Sequence, residues 1–341
     1  MDRGVVLTDV GRFGLQEIEV EPPGPLEVLV RLEATGVCHS DLHVAQTGWA
    51  HPLPVLLGHE GAGVVEEVGE RVERLAPGDR VVLGWRSPCG RCRWCARGDP
   101  RRCRTPPPPG GRLRLGDGRT LTQTLQLGTF ATRTVVNQAA AVALPDGVPP
   151  EQACLIGCAV ATGVGSVLET AGVWEGARVA VIGCGAVGLS VVQGARIAGA
   201  SEIYALDVDE RKLEAAQRFG ATHAGAPEEP VDFAFDVVGA GQTLSQAVRM
   251  LGHAGTAVLV GIADGPLELT TGELFARRAR VLVSHGGDHL PQEDFPRLAQ
   301  WALDGTLDLA SMVTRQGALS EWDAAFDAMK SGDVIRTVLT P

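Results

Sequence analysis

Between Arg178 and Asp207 the sequence lays down strand, turn, helix and strand in an order that few folds accommodate. Arg178-Val179-Ala180-Val181-Ile182 has the length and β-branched character of a buried strand. Gly183-Cys184-Gly185-Ala186-Val187-Gly188 follows, a helix-patterned stretch runs to Gly199, and residues 202–206 read as a second strand ending at Asp207. Strand, G-x-G-x-x-G and helix in that order form the dinucleotide-binding fingerprint. Its glycines let backbone approach a pyrophosphate, which then lies at the positive end of the helix. A bare G-x-G-x-x-G carries little weight in a chain with 44 glycines. The acidic residue closing the next strand, 24 positions beyond Gly183 (207 − 183), gives it force. A carboxylate there accepts hydrogen bonds from a ribose 2′-hydroxyl and repels a 2′-phosphate, so the expected dinucleotide is NAD rather than NADP.

The alternation continues downstream. Residues 231–238 read as a strand, 243–251 as a helix, 256–260 as a strand ending at Gly261, and Val281-Leu282-Val283 as the last strand. That pattern predicts a doubly wound parallel sheet. Two amphipathic helices, near 293–303 and 320–330, precede a closing strand at Arg336-Thr337-Val338-Leu339. Upstream, residues 1–35 carry short alternating runs broken by Pro22-Pro23-Gly24-Pro25, and 61–83 continue them with a turn at Pro77-Gly78-Asp79. The first part is therefore mainly β, with Cys38 and His59 on connections. Residues 104–127, with Pro106 to Pro109 and Gly116-Asp117-Gly118, read as an exposed loop with a hairpin near Asp117-Gly118. Strand pattern returns at Leu127-Gly128-Thr129-Phe130 and runs through Val135-Val136.

A length of 341 residues suffices for two domains. The net charge of −11 argues against a general nucleic-acid or anionic-membrane binder. The opening MDRGVVLTDVGRFG has no apolar run after a positive region, so no secretory signal is expected. The longest weakly polar run, 153–168, has 16 residues. A spanning helix needs ~20, so a buried core segment is the expectation. These features predict a soluble, cytoplasmic protein.

Two regions carry metal-ligand chemistry. Cys89, Cys92, Cys95 and Cys103 form C-x2-C-x2-C-x7-C, which can close a tetrahedral sulfur cage around a structural zinc. An iron–sulfur cluster uses similar spacing and is the alternative. Seven arginines between 86 and 104 make this lobe basic, but a nucleic-acid contact there is at odds with the acidic whole. The other region, 36–69, holds Cys38, His39, His43, His59 and Glu60 among Gly58, Gly61, Gly63 and Gly69. A catalytic zinc needs three protein ligands and one open position. Cys38 and His59 can supply two, and the third must come from elsewhere. Eight cysteines so spaced favour metal in a reducing compartment over disulfides.

Gly58-His59-Glu60, then Gly63 and Gly69, resembles the zinc signature of the zinc-dependent medium-chain alcohol dehydrogenases. The resemblance extends from about 36 to 336, with two zinc motifs and one nucleotide motif in order. It implies an α/β chain with a doubly wound Rossmann cofactor domain at 160–284. The remainder, 1–159 and 285–341, would form a discontinuous, mainly β, GroES-like catalytic domain with a structural-zinc lobe. It also supplies Cys158 as the third catalytic-zinc ligand, giving two zincs per chain. Cys154 and Cys184 match no ligand and read as buried thiols.

By the same resemblance Asp41 orients His59, Glu60 lies near the metal and pairs with Arg336, and Ser40 and His43 relay the substrate proton. His39 stands where many relatives carry an arginine against the pyrophosphate, so easier NADH release is expected. Thr162, Gly183, Gly185, Val187, Gly188, Asp207, Lys212 and Gly261 are the implied cofactor contacts. Trp49 and Trp85 align with substrate-channel positions, which favours primary or aromatic alcohols. Taken without the resemblance, Ser40 reads as a turn or cap, Lys212 as a solvated helix lysine, and the tryptophans as core. The implied reaction is reversible hydride transfer between an alcohol and NAD by a homo-oligomer, dimer or tetramer. Rivals are a dehydrogenase of thiol–formaldehyde adducts, polyols or amino-alcohols, and a non-catalytic zinc and nucleotide sensor. A sensor needs no proton path, so Ser40 and His43 argue against it.

Overall fold

The strand Glu27–Gly36 is the hub of the amino-terminal half, because almost every residue along it is buried. Its partners on the two sides are Glu60–Val68 and Arg133–Asn137, both antiparallel, and its far end meets the carboxyl-terminal strand Arg336–Thr340. The computed structural model describes residues 1–49, 51–262, 266 and 268–341. The chain divides into two units, 1–158 with 290–341 and 159–289.

In the first unit a seven-stranded mixed sheet runs Ala141–Ala143, Arg80–Leu83, Glu60–Val68, Glu27–Gly36, Arg336–Thr340 and Val313–Ala318, with Arg133–Asn137 also on the hub. A five-stranded sheet runs Leu113–Leu115, Arg12–Val20, Asp2–Asp9, Val55–Leu56 and Thr122–Gln123. Val6, Val28, Val30, Leu56 and Leu83 pack into a core that involves strands of both sheets.

Residues 104–127 are not simply an exposed loop. Leu113 and Leu115 bury into that core, and Leu113–Leu115 pairs with Arg12–Val20. Arg114 bridges Thr120 across the expected Asp117-Gly118 turn. The buried carboxylate of Glu27 clamps the segment, accepting from the N–H groups of Gly24 (2.8 Å) and Gly110 and from Arg112 Nε (3.2 Å). A three-residue strand beside a proline run leaves no period to read, and its pairing partner is about a hundred residues away in sequence (115 − 18 = 97).

The second unit is a six-stranded, wholly parallel sheet in the order His223–Ala224, Glu202–Leu206, Arg178–Ile182, Val231–Asp236, Leu251–Leu259, Arg280–Val283. Val179, Ala180 and Val181 are fully buried, as expected of strands covered on both faces. Strand order reverses between Arg178–Ile182 and Val231–Asp236, the switch point where open sheets of this kind bind ligands. The far edge strand Arg280–Val283 is open, with Val281 and Val283 exposed, and Phe275 on the preceding helix Thr271–Arg277 is exposed too.

Residues 285–289 group with this second unit. Gly287 packs on the backbone of Ala161 and Thr162, and the Thr170 hydroxyl donates to Asp288 (2.8 Å) and lies in hydrogen-bond contact with the Ser284 hydroxyl (3.0 Å).

The apolar run at 153–168 sits within a longer helix than its composition suggests. Pro150–Ala171 is continuous over 22 residues, long and apolar enough by length to cross a membrane. Its most apolar window is 72 % buried within the protein, which marks a core helix. Polar Glu151 and Gln152 at one end and Glu169 and Thr170 at the other hid the true length.

Candidate metal centres and nucleotide site

The four lobe cysteines bring their sulfurs within 4.8 Å of one another without any disulfide. Cys92 Sγ and Cys95 Sγ stand 3.6 Å apart, against ~3.8 Å for the edge of a tetrahedron with ~2.3 Å zinc–sulfur bonds. The N–H groups of Cys89 and Cys92 donate to Cys103 and Cys89 at 3.3 Å. The Thr105 hydroxyl also donates to Cys89 and draws its thiol down to about 6. Arginines of the lobe are partly structural: Arg101 binds Asp294 (3.0 Å), and Arg93 and Arg102 lie over Trp94. Four soft donors at this spacing fit a closed zinc site.

The second set forms where the hub strand ends. Cys38 is the N-cap of the helix His39–Thr47, and Asp41 in its first turn accepts from the Cys38 N–H at 3.2 Å. The other oxygen of Asp41 accepts from His59 Nδ1 at 2.7 Å, with both side chains buried. That bond assigns the His59 proton to Nδ1 and turns Nε2 toward Cys158 Sγ, 3.3 Å away. Cys158 sits in a wide π-helical turn, Ile156–Val160. Glu60 opens its strand directly after His59 and packs flat over Gly36, where any Cβ would strike the carboxylate. Donor atoms of Cys38, His59, Glu60 and Cys158 all lie within 4.8 Å of one another.

The donors at this site perturb one another strongly. The Cys158 thiol donates to Cys38, which holds Cys38 well below the usual thiol range and pushes Cys158 above it. Burial opposes charge on His59, but Asp41 outweighs it and raises the imidazole well above its ordinary value. Burial lifts the Glu60 carboxyl to about 7, opposed by Arg336, whose Nη2 is 3.4 Å away and whose Nη1 donates to the Val37 carbonyl (2.7 Å). Neither Glu60 oxygen accepts a hydrogen bond among the described residues. Two sulfurs and one imidazole nitrogen fit a zinc with a fourth position for substrate, and the Glu60 carboxylate lies beside them.

Ser40 and His43 lie three residues apart on the helix His39–Thr47, hence on one face, with Ser40 half-buried and His43 exposed. His39, the first helical residue, is exposed. Trp49 follows the Gly48 cap and its ring makes a T-shaped contact with His43, centroids 5.5 Å apart. Trp85 packs against the core of the first unit. Cys38, Asp41, His59, Glu60, Cys158 and Arg336 therefore form one cluster, and Ser40, His43 and Trp49 share one helix and its cap. Two residues escaped the sequence reading: Glu27, the clamp above, and His51. A histidine between Gly48-Trp49 and Pro52 is a signal only in retrospect.

In the second unit Gly183 takes φ +94°, and Gly188 packs so closely on the Gly183 carbonyl that a Cβ would collide with it. Gly185 caps the helix Ala186–Ile197, which contains Val187. Asp207 is half-buried: one oxygen accepts from the Cys184 N–H (2.8 Å), the other from the Asp209 N–H (3.1 Å). Lys212 is on the helix Glu210–Arg218, half-buried. Gly261 meets the backbone of Val238 and Gly239, held there by Asp236, whose Oδ1 accepts from both N–H groups. Thr162 lies in a helical turn beside Gly287. Burial raises the Cys184 thiol to about 12, and Cys154 is also fully buried, so neither is a reactive thiol.

A β-rich unit with two zinc-compatible donor sets, in one chain with a parallel unit bearing a dinucleotide fingerprint, defines a metal-assisted oxidoreductase. Residues 24–146 match the alcohol dehydrogenase GroES-like domain family, and 186–304 match the zinc-binding dehydrogenase family. S-(hydroxymethyl)glutathione dehydrogenase from Photobacterium damsela subsp. piscicida is 36% identical over 350 residues, 95% of each chain. An alcohol dehydrogenase zinc-binding domain protein from Burkholderia ambifaria has a TM-score of 0.93 at 34% identity, covering 99% of this chain and 98% of its own. Benzyl alcohol dehydrogenase from Acinetobacter calcoaceticus gives 0.91 at 29% identity, covering 100% and 99%. The chain belongs to the zinc-dependent medium-chain alcohol dehydrogenase family.

Proposed function

We propose that this protein catalyses reversible hydride transfer between a primary or aromatic alcohol and NAD, using zinc held by Cys38, His59 and Cys158. The buried Asp41–His59–Cys158 line, 2.7 Å and then 3.3 Å, carries the reading. When bound, zinc supplies a Lewis acid to the substrate oxygen and the dinucleotide accepts hydride. Asp41 keeps His59 in the tautomer whose Nε2 is free to ligate. Glu60, paired with Arg336, places a carboxylate beside the ligands for exchange at the metal. The Ser40 hydroxyl takes the substrate's hydroxyl proton and passes it on toward His43, whose exposure delivers it to water. Cys89, Cys92, Cys95 and Cys103 hold a second, structural zinc.

The Gly183–Gly188 turn and the N-terminus of Ala186–Ile197 receive the pyrophosphate, with His39, Thr162 and Gly261 as further contacts. Asp207, assisted by Lys212, accepts the ribose hydroxyls and selects NAD over NADP. Trp49 and Trp85 wall the substrate side. Eight unbridged cysteines suit a reducing, cytoplasmic setting. The open edge Arg280–Val283 suits a homo-oligomer.

The 36% relationship to an S-(hydroxymethyl)glutathione dehydrogenase favours a second reading, oxidation of a thiol–formaldehyde adduct. The test is zinc content per chain measured beside NAD reduction with ethanol, benzyl alcohol, a secondary alcohol, and formaldehyde with and without glutathione. One metal per donor set, two in all, is expected, with benzyl alcohol the preferred substrate. Turnover only with formaldehyde plus glutathione selects the second reading. Bound metal and NAD without NADH formation on any substrate sinks both.

A further inference from the structure

His51 lies outside both donor sets, yet it joins two of the most distorted loops of the first unit. Six described non-glycine residues have positive φ, and three fall here: Trp49 (31°) in one loop, Leu125 (49°) and Gln126 (66°) in the other. Backbone outliers of this kind persist only where surrounding contacts over-determine them, and they concentrate at working sites. The Leu125 N–H donates to His51 Nε2 at 3.3 Å, which requires that nitrogen to be unprotonated. The proton is then on Nδ1, which donates to the Trp49 carbonyl at 3.0 Å. A single neutral imidazole thus clasps both loops, and no other protonation state satisfies both bonds.

The Trp49 side of the clasp leads back to the relay helix. The Trp49 N–H donates to Thr47 Oγ1 (3.2 Å), and the Thr47 hydroxyl donates to the His43 carbonyl (2.8 Å). The His51 N–H donates to the Gly48 carbonyl at 2.8 Å, closing the turn. Held this way, the indole and the His43 ring meet in a T-shaped contact, ring planes 75° apart. On the other loop, Thr124 Oγ1 and Gln126 Oε1 are buried without a hydrogen-bond partner among the described residues. The segment's own bonds lie to either side, from the Leu127 N–H to the Thr124 carbonyl (3.0 Å) and from Gln123 Nε2 to the Leu127 carbonyl (2.9 Å), while the Leu125 N–H is given to His51.

We infer that His51 is a positioning residue: its clasp between Leu125 and Trp49 holds the Trp49 indole against His43. It thereby sets the wall beside the proton exit and selects for flat, aromatic alcohols. The kinetic half of this inference rests on the function proposed above; the geometric half does not.

The test uses the zinc-loaded full chain. In wild type, a long-range proton–nitrogen spectrum should show His51 protonated on Nδ1 alone, and the Nε2–H tautomer would overturn the clasp. The ring protons of His43 should show a ring-current displacement that disappears in Trp49→Leu and in His51→Leu. His51→Gln, whose amide offers one donor and one acceptor, should restore it. With substrate, His51→Leu should raise KM for benzyl alcohol about three- to tenfold, the value of one aromatic contact, with kcat and the ethanol KM nearly unchanged. An undisturbed His43 resonance in His51→Leu refutes the inference, as does an equal KM change for both alcohols. A wild type that oxidises no alcohol but shows the predicted resonances refutes the proposed function and leaves the clasp standing.

Discussion

Replacing Asp207 by asparagine isolates one negative charge at the end of the strand Glu202–Leu206. A carboxylate offers about four lone-pair positions. The Cys184 and Asp209 N–H groups occupy one on each oxygen, leaving one on each for a ribose. Asparagine has a single acceptor oxygen and two N–H donors. Whichever way the amide lies, one backbone N–H then faces an NH2 group and one ribose hydroxyl loses its acceptor. A hydrogen bond to a charged group is worth about 1.5–3 kcal/mol, which is about 10- to 150-fold in affinity. The same change removes repulsion toward a 2′-phosphate, so preference for NAD should shrink from both sides. Titration calorimetry with NAD and NADP reads the effect, and a thermal melt without nucleotide separates it from damage to the Gly183–Gly188 turn. An NAD affinity within about threefold of wild type, in a variant that melts normally, would refute the assignment.

Cys103→Ser should lower bound zinc from two per chain to one, because the cage loses a donor while Cys38, His59 and Cys158 are untouched. Retention of both metals, read by elemental analysis, would show that the cage is wrongly assigned. Val283→Lys puts a charge on the open sheet edge and should move the protein to a smaller species in sedimentation without lowering its melting temperature. An unchanged sedimentation coefficient would show that this edge is not where subunits meet.

The nucleotide unit was the most legible part of the chain, for a physical reason. Its central strands are buried and read as apolar runs, and the glycine turn falls directly between the strand Arg178–Ile182 and the helix Ala186–Ile197. The strand 231–238 ends instead at Asp236, where the carboxylate turns back to accept from Val238 and Gly239. The helix Glu210–Arg218 was read only as the setting of Lys212, without bounds, because its buried face is only Ala215 and Ala216. At the metal site, Cys38 and His59 were visible as donors near in sequence. Cys158, 99 positions beyond His59, could be chosen only through family likeness, since no local pattern says which distant sulfur will arrive. The proline-rich stretch 104–127 was misjudged because its strand Leu113–Leu115 gains meaning only against Arg12–Val20. His51 was invisible for a similar reason: its role lies in two backbone bonds to loops whose shapes are not written in residue type.

The two donor sets differ in how much chain must be gathered before a cation can be held. Cys89 to Cys103 span 15 residues, so the lobe can clasp its ion while the rest of the polypeptide is still unshaped, a short loop being cheap to close. Cys38 and Cys158 lie 120 positions apart and meet only after the hub strand, the strand Glu60–Val68 and the π-helical turn are in register. Metal taken up by the lobe would therefore seed order early during renaturation. Metal at the distant trio would be held only once assembly is complete.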